Sequence, residues 1–172
     1  MNRSCVSVVT GLLICALVLA GCPLAPTGRT TVTKKAQIND VESFEEINLS
    51  VFGPRILTKP DQETIITITV VSNMALYVAE TVEDATDNDI RIQVAGRDGH
   101  DDDSIVMLQD MLLQFVGSGT YKVTWRGTLP QLIAGSGQLT PATWTVFAIR
   151  GSGAPDGLDA QVTVEFSYIP WG

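Results

Sequence analysis

The stretch Thr64-Ile-Ile-Thr-Ile-Thr-Val-Val71 decides the fold class, because all of its residues are β-branched. Branching at Cβ restricts the side chain in a helix and favours a pleated strand. The next apolar segment, Ile90-Arg-Ile-Gln-Val94, alternates apolar and polar residues with the period of a half-buried strand. Together these segments predict an all-β domain.

The same alternation continues on both sides of this stretch. Ile47, Leu49 and Val51 share one face of a predicted strand that begins at Phe44. Ala75–Val82 and residues 104–116 fit either a strand or a helix. Towards the C-terminus the period-2 pattern continues at Thr145, Phe147, Ile149, Val162, Val164, Phe166 and Tyr168.

Three Gly-Ser-Gly triplets recur late in the chain, at Gly117–Gly119, Gly135–Gly137 and Gly151–Gly153. An apolar residue stands two positions before each triplet, and the spacing between triplets is nearly constant. A strand followed by a glycine corner at regular spacing is typical of stacked rungs. The pattern therefore predicts a β-solenoid of short strands with Gly-Ser-Gly corners. The alternative is an antiparallel β-sandwich or meander whose turns use these triplets.

The N-terminus carries an export signal. Arg3 precedes the apolar stretch Val6–Ala20, which is shorter than a membrane-spanning helix. The stretch ends in Leu19-Ala20-Gly21-Cys22, which resembles the bacterial lipobox. We therefore predict that residues 1–21 are a lipoprotein signal peptide cleaved between Gly21 and Cys22, and that Cys22 carries the lipid. The alternative is an ordinary signal peptide that happens to contain a cysteine.

The predicted mature chain divides into a lipidated tether, residues 22–40, and a domain, residues 41–172. The tether is rich in Pro, Thr, Gly and Lys and lacks apolar periodicity. In lipoproteins of enteric bacteria, an aspartate directly after the lipidated cysteine favours retention in the inner membrane. Position 23 is proline, so the lipobox resemblance implies the outer membrane as the location. Cys22 is the only cysteine after the signal, which excludes an intrachain disulfide. The formal net charge of −8 argues against a nucleic-acid partner.

Several segments resemble the head GIN domain family, whose members are also described as auto-transporter adhesins. The resemblance covers about residues 41–168 and is carried by Phe44–Ser50, the run 64–71, Asp89–Val94, Thr128–Gly137 and Phe147–Val164. It implies an exported bacterial protein, in many cases a lipoprotein, with an elongated right-handed β-helix-like fold. It implies no catalytic residues.

Candidate catalytic and metal-binding residues are few. The acidic segment Asp98–Ser104 has oxygen ligands for Ca²⁺ but lacks the EF-hand pattern, so a solvated turn is the simpler interpretation. We also interpret the second acidic segment, Glu83–Asp89, as a solvated turn. The single histidine, His100, excludes a multi-histidine metal site, and we predict no metal and no cofactor.

An envelope hydrolase is the alternative function. It would use His100 as the base, Ser104 or Ser118 as the nucleophile and Asp102 to orient the histidine. No Gly-x-Ser-x-Gly elbow supports this arrangement. We therefore expect a protein that is not an enzyme.

Aromatic residues are the better candidates for binding. Tyr121 and Trp125 share one strand face, and Trp144 lies on a later strand. Exposed rings in such positions stack on sugars or on apolar groups of a protein partner. The alternative is that these rings only close the ends of the core. We therefore expect a lipid-anchored envelope protein that serves adhesion or scaffolding, with a glycan or envelope-protein ligand. Self-association through an open end of the predicted solenoid, where strand edges would be unpaired, is a further alternative.

Overall fold

The computed structural model describes residues 28–39, 43–49, 58, 62–98, 105–129 and 141–171. They form nine strands and one short 3₁₀ turn, Ala85–Asp87. The strands are β1 (Thr30–Ile38), β2 (Phe44–Asn48), β3 (Thr64–Ser72), β4 (Ile90–Asp98), β5 (Ile105–Met111), β6 (Gln114–Gly117), β7 (Thr120–Gly127), β8 (Ala142–Arg150) and β9 (Ala160–Tyr168). The all-β prediction is confirmed.

The strands form two antiparallel sheets, ordered β1-β9-β3-β7-β6 and β2-β8-β4-β5. Their pairing is nested along the chain, because β1 pairs with β9, β2 with β8, β3 with β7 and β4 with β5. Additional pairings of β3 with β9 and of β4 with β8 complete the sheets. This nested order is the jelly-roll arrangement of a two-sheet sandwich.

The alternation predicted from the sequence produces the core. Ile66, Ile68 and Val70 of β3 point inward, as do Ile90, Ile92 and Val94 of β4. The inner face of β9 has the same pattern, with five buried residues, Ala160, Val162, Val164, Phe166 and Tyr168. Removing each of the larger side chains from water contributes roughly 1.5–3 kcal/mol, so the paired inner faces hold the sheets together.

The solenoid prediction is wrong for the described residues. Stacked rungs would place successive strands in parallel, whereas every described pairing is antiparallel. Gly117–Gly119 forms the turn of the β6–β7 hairpin, and Gly151–Gly153 follows the end of β8. Gly135–Gly137 lies outside the described residues. The antiparallel sandwich, the predicted alternative, agrees with the structure.

The predicted tether also needs correction, because Thr30–Ile38 is strand β1 and pairs with β9 over its whole length. The strand alternates weakly, and two adjacent lysines hid its period. Lys34 points towards the inner side, where partial burial lowers the pKa of its ammonium group, and Lys35 points to solvent. The folded domain therefore begins well before residue 41.

The two ambiguous segments have different structures. Residues 105–117 are strands β5 and β6, joined by two residues. Ala75–Val82 contains no regular strand. It is fixed by Asp89, which accepts a hydrogen bond from the Tyr77 amide at 2.6 Å, and by Asn88, which accepts one from the Ala79 amide at 2.6 Å. Both side chains are buried, so this end of Glu83–Asp89 is not the solvated turn that we predicted.

The strands of both sheets run between the same two ends of the sandwich, which we call the near end and the far end. At the near end, Thr30 at the start of β1 pairs with Tyr168, and Thr58 bridges Ala142 and Pro170. At the far end, Ile38 and Ser72 both pair with Ala160. Strand β5 runs from the near end, where Ile105 pairs with Arg97, towards the far end.

Candidate interaction edge

The predicted aromatic binding residues lie in the core. The exposed fractions of Tyr121, Trp125 and Trp144 are 4%, 7% and 1%. The Tyr121 hydroxyl accepts a hydrogen bond from the Leu76 amide, and the two indoles pack with ring centroids 4.7 Å apart. A strand period predicts which residues share a face but not whether that face meets solvent or the second sheet. The prediction that these three residues bind a ligand at the surface is therefore wrong.

The other predicted sites are not assembled by the described residues. Ser118 is exposed in the β6–β7 turn, whereas His100, Asp102 and Ser104 lie outside the described part of the chain. The same holds for Gly21, Cys22 and most of the Asp98–Ser104 segment. Within the described ranges, no group of acidic, histidine and cysteine side chains is arranged to hold a metal ion.

Exposed apolar side chains are concentrated in the segment whose sequence fits either a strand or a helix. Strand β5 exposes Ile105, Val106 and Leu108, and β6 exposes Phe115 and Val116. Each strand is the last of its sheet, and the two follow one another along the chain. We call this side of the sandwich, residues 105–117, the β5–β6 edge.

The opposite edge strands carry charge. Strand β1 contains Lys34 and Lys35, and β2 contains Glu45 and Glu46. Charges on an edge strand oppose pairing with another chain, because pairing would remove them from water. The lysines of β1 and the glutamates of β2 therefore protect these two edge strands against pairing with another chain.

Strand β5 lacks this protection. Its only charged residue is Asp110, which receives two hydrogen bonds from Arg91 of β4, at 2.6 and 3.0 Å. Strand β5 contains no proline, and its one irregularity lies at its start, opposite Gly96 and Arg97. A seven-residue apolar edge strand offers backbone donors and acceptors to an added strand.

The inner side of β5 is fixed to the sandwich. Met111 is buried, and Met107 packs against the core. The side chain of Gln109 accepts a hydrogen bond from the indole N–H of Trp125 at 3.0 Å. Because β5 is held in its extended form, an incoming strand would meet an edge that needs no further ordering.

A shallow cleft of about 380 Å³ adjoins β6 at the far end. Met74, Phe115, Ser118 and Tyr121 contribute to its lining, and the ring of Phe115 contacts that of Tyr121 with centroids 5.3 Å apart. The exposed Phe115 ring extends the apolar surface of the β5–β6 edge towards the far end.

The outer face of the four-stranded sheet is closed by its own contacts. The ring of Phe147 stacks on Phe44 at 5.6 Å, and the Arg97 guanidinium lies 5.5 Å from the Phe147 centroid. Arg97 also pairs with Glu46 at 3.3 Å. These contacts explain why Phe147 is buried although it lies on the outer face of β8.

Comparisons with known proteins give little further information. No family model matches the sequence, and no curated protein is similar to it. A structure described as "CBM4 structure and function" aligns over 81% of this chain and 91% of that chain, with 9% identity and a TM-score of 0.39. A cryo-EM structure of Broad Bean Stain Virus aligns over 86% and 92%, with 9% identity and a TM-score of 0.33. Likeness at this level says nothing about function.

No helix in the described ranges has the length and apolar character needed to cross a bilayer.

Proposed function

We propose that this protein is a non-catalytic binding module of the bacterial cell envelope, anchored by lipid at Cys22, which binds a protein partner by strand addition at the β5–β6 edge. The observation that carries the proposal is the contrast between the edges. The edge formed by β5 and β6 is apolar, whereas β1 and β2 carry lysines and glutamates.

The membrane part of the proposal rests on the sequence. The export signal and the Leu19–Cys22 lipobox support lipidation, and Pro23 supports the outer membrane. The head GIN resemblance supports an exported protein, although the β-helix it implies differs from the antiparallel sandwich.

A protein partner suits this edge better than a glycan. The free backbone groups of an edge strand pair with another peptide backbone, which a sugar lacks. The rings that would have stacked on sugars, Tyr121, Trp125 and Trp144, are buried in the core. The binding energy would come from main-chain hydrogen bonds, with side chains such as Leu108 and Phe115 supplying apolar contact.

Photo-crosslinking in cells tests the binding part. A photoreactive residue at Leu108 or Phe115 should crosslink one dominant protein in the envelope. The same residue at Lys35, which is exposed on the opposite edge, should not. Equal labelling at all three positions, or crosslinks to lipid alone, would remove the proposed binding edge.

Fractionation tests the anchor separately. The wild-type protein should sediment with membranes, and Cys22→Ser should release it into the soluble envelope fraction. If the Cys22→Ser protein stays in the membrane fraction, lipid anchoring is wrong, whatever the crosslinking gives.

A further inference from the structure

We propose that the strand added to β5 is β5 of a second copy of this chain, paired antiparallel about Leu108. The inference rests on the proposed function, since it names the partner of the proposed binding edge. An antiparallel pair of identical strands is related by a two-fold axis, which is the commonest symmetry of protein dimers.

Charge selects β5 among the longer edge strands. If β1 paired with its own copy about its centre, Lys34 and Lys35 would approach the same lysines of the copy. If β2 did so, Glu45 and Glu46 would approach the same glutamates. Like charges placed opposite each other oppose pairing. A foreign strand of opposite charge would suit β1 or β2, whereas β5, whose one charged residue is already paired with Arg91, suits its own copy.

The register follows from the length of β5. Leu108 is the middle residue of Ile105–Met111, so pairing about it uses the whole strand. In this register Leu108 faces Leu108 of the copy, and Asp110 faces Val106. Centring the pair on Asp110 would bring two carboxylates together, which the register about Leu108 avoids.

The side chains beside the proposed contact can be covered by a second copy without leaving a charge unpaired. The Asp110 carboxylate already accepts two hydrogen bonds from Arg91. Leu108 and Val106 are apolar and exposed, and the side chains of Phe115 and Val116 follow on β6. Covering this surface removes apolar area from water and leaves no unpartnered charge on β5.

The dimer would place the starts of its two β1 strands, which follow the predicted lipid anchors in the chain, at opposite ends. Strand β5 begins at the near end, where β1 also begins and where residues 23–29 lead back to Cys22. Antiparallel pairing reverses the second copy, so its near end lies beside the far end of the first.

Disulfide trapping tests the register in the full lipidated protein. The predicted mature chain has no cysteine besides the lipidated Cys22, so an introduced cysteine supplies the single free thiol that can form a disulfide between two copies. Residues directly opposite each other in antiparallel strands have Cα atoms about 4.5–5.5 Å apart, within the range of a disulfide. Mild oxidation should convert Leu108→Cys into a covalent dimer, whereas Lys35→Cys on the charged edge should remain a monomer. A Leu108→Cys protein that stays monomeric would overturn the register.

Sedimentation in detergent tests the dimer itself. The wild-type protein should dimerise, and Leu108→Lys should weaken dimerisation at least tenfold. Val71→Lys is the matched control, because Val71 is 48% exposed and Leu108 is 52% exposed, but Val71 lies on an inner strand of its sheet. A wild-type protein that is monomeric at every concentration, or a dimer that Leu108→Lys does not weaken, would overturn the inference.

The two proposals fail in different ways. If a Leu108 probe captures a different envelope protein and the wild type is monomeric, the binding edge stands and the second copy is wrong. If the probe captures neither a second copy of this chain nor another envelope protein, the proposed binding function is wrong as well.

Discussion

The indole of Trp125 on β7 packs against the indole of Trp144 on β8, with centroids 4.7 Å apart and planes inclined by 49°. Because β7 and β8 belong to different sheets, this contact joins the two layers. Each indole N–H also has an acceptor, Gln109 on β5 for Trp125 and Thr58 for Trp144. The pair thus connects the core to the β5–β6 edge.

Replacing Trp144 by alanine should lower the free energy of unfolding by about 3–5 kcal/mol, since it leaves a large cavity and removes the donor to Thr58. Urea denaturation followed by circular dichroism measures the change. Tyr77→Ala is the control, because Tyr77 is exposed and should change stability by no more than about 0.5 kcal/mol. A loss below about 1 kcal/mol for Trp144→Ala would contradict the buried position.

The last Gly-Ser-Gly triplet provides a matched pair of glycine substitutions. A Cβ at Gly151 would collide with the backbone oxygen of Asn88, whereas one at Gly153 would meet nothing within 4 Å. The Gly151 amide also donates to the Asp89 carbonyl at 2.9 Å. Gly151→Ala should therefore lower the melting temperature by several degrees, equivalent to about 1–3 kcal/mol. Gly153→Ala should leave it nearly unchanged, and equal effects would contradict this geometry.

Asp89 provides a third stability test. Replacing it by alanine leaves the Tyr77 amide without its 2.6 Å acceptor, which should cost about 1.5–3 kcal/mol. Asp87→Ala changes an exposed carboxylate in the same acidic segment and should cost less than about 0.5 kcal/mol. Urea unfolding of both variants distinguishes a structural Asp89 from a solvated acidic turn, for which the two losses would be equal.

Sequence patterns predicted the strands where alternation is strong, and failed where it is weak. The β-branched run of β3 and the alternating residues of β4 and β9 identified those strands and their inner faces. On β8 the alternation of Thr145, Phe147 and Ile149 did not identify the inner face. Trp144 and Val146 fill the core, whereas Phe147 is covered on the outer face. Strand β1 was missed because lysines interrupt its period.

The proposed binding edge could not be found from the sequence alone. Residues 105–117 are as apolar as a core segment, so their pattern fits a helix or a buried strand equally well. Only the sheet order shows that β5 and β6 are the last strands of their sheets. The exposure of Leu108 and Phe115 follows from that position.

Alkaline pH should reveal the burial of Tyr168. Burial raises the pKa of its hydroxyl above that of an unfolded tyrosine, because the phenolate would lose its hydration. This contribution to stability is fully present below the unfolded pKa, about 10, and is lost as the pH rises through the folded value. The free energy of unfolding should therefore fall above about pH 10, and less steeply in Tyr168→Phe. Tyr77→Phe is the exposed control and should keep the wild-type profile. Parallel losses in the wild type and Tyr168→Phe would contradict this account.

The two β1 strands of the proposed dimer start at opposite ends, and this leads to a prediction for membranes. The chain from Cys22 to Thr30 spans at most about 29 Å when fully extended. A nine-residue strand is already about 30 Å long. An upright sandwich therefore leaves too little chain for the anchor of the reversed copy to return to the same bilayer.

Vesicles carrying the lipidated protein should consequently cluster, with rising light scattering. Leu108→Lys should abolish the clustering, and Val71→Lys should preserve it, because only the first substitution places a charge on the paired edge. Energy transfer between labelled copies within one vesicle, without clustering, would show that the dimer lies flat on a single bilayer. In that arrangement both anchors reach the same membrane, and the dimer does not link two membranes.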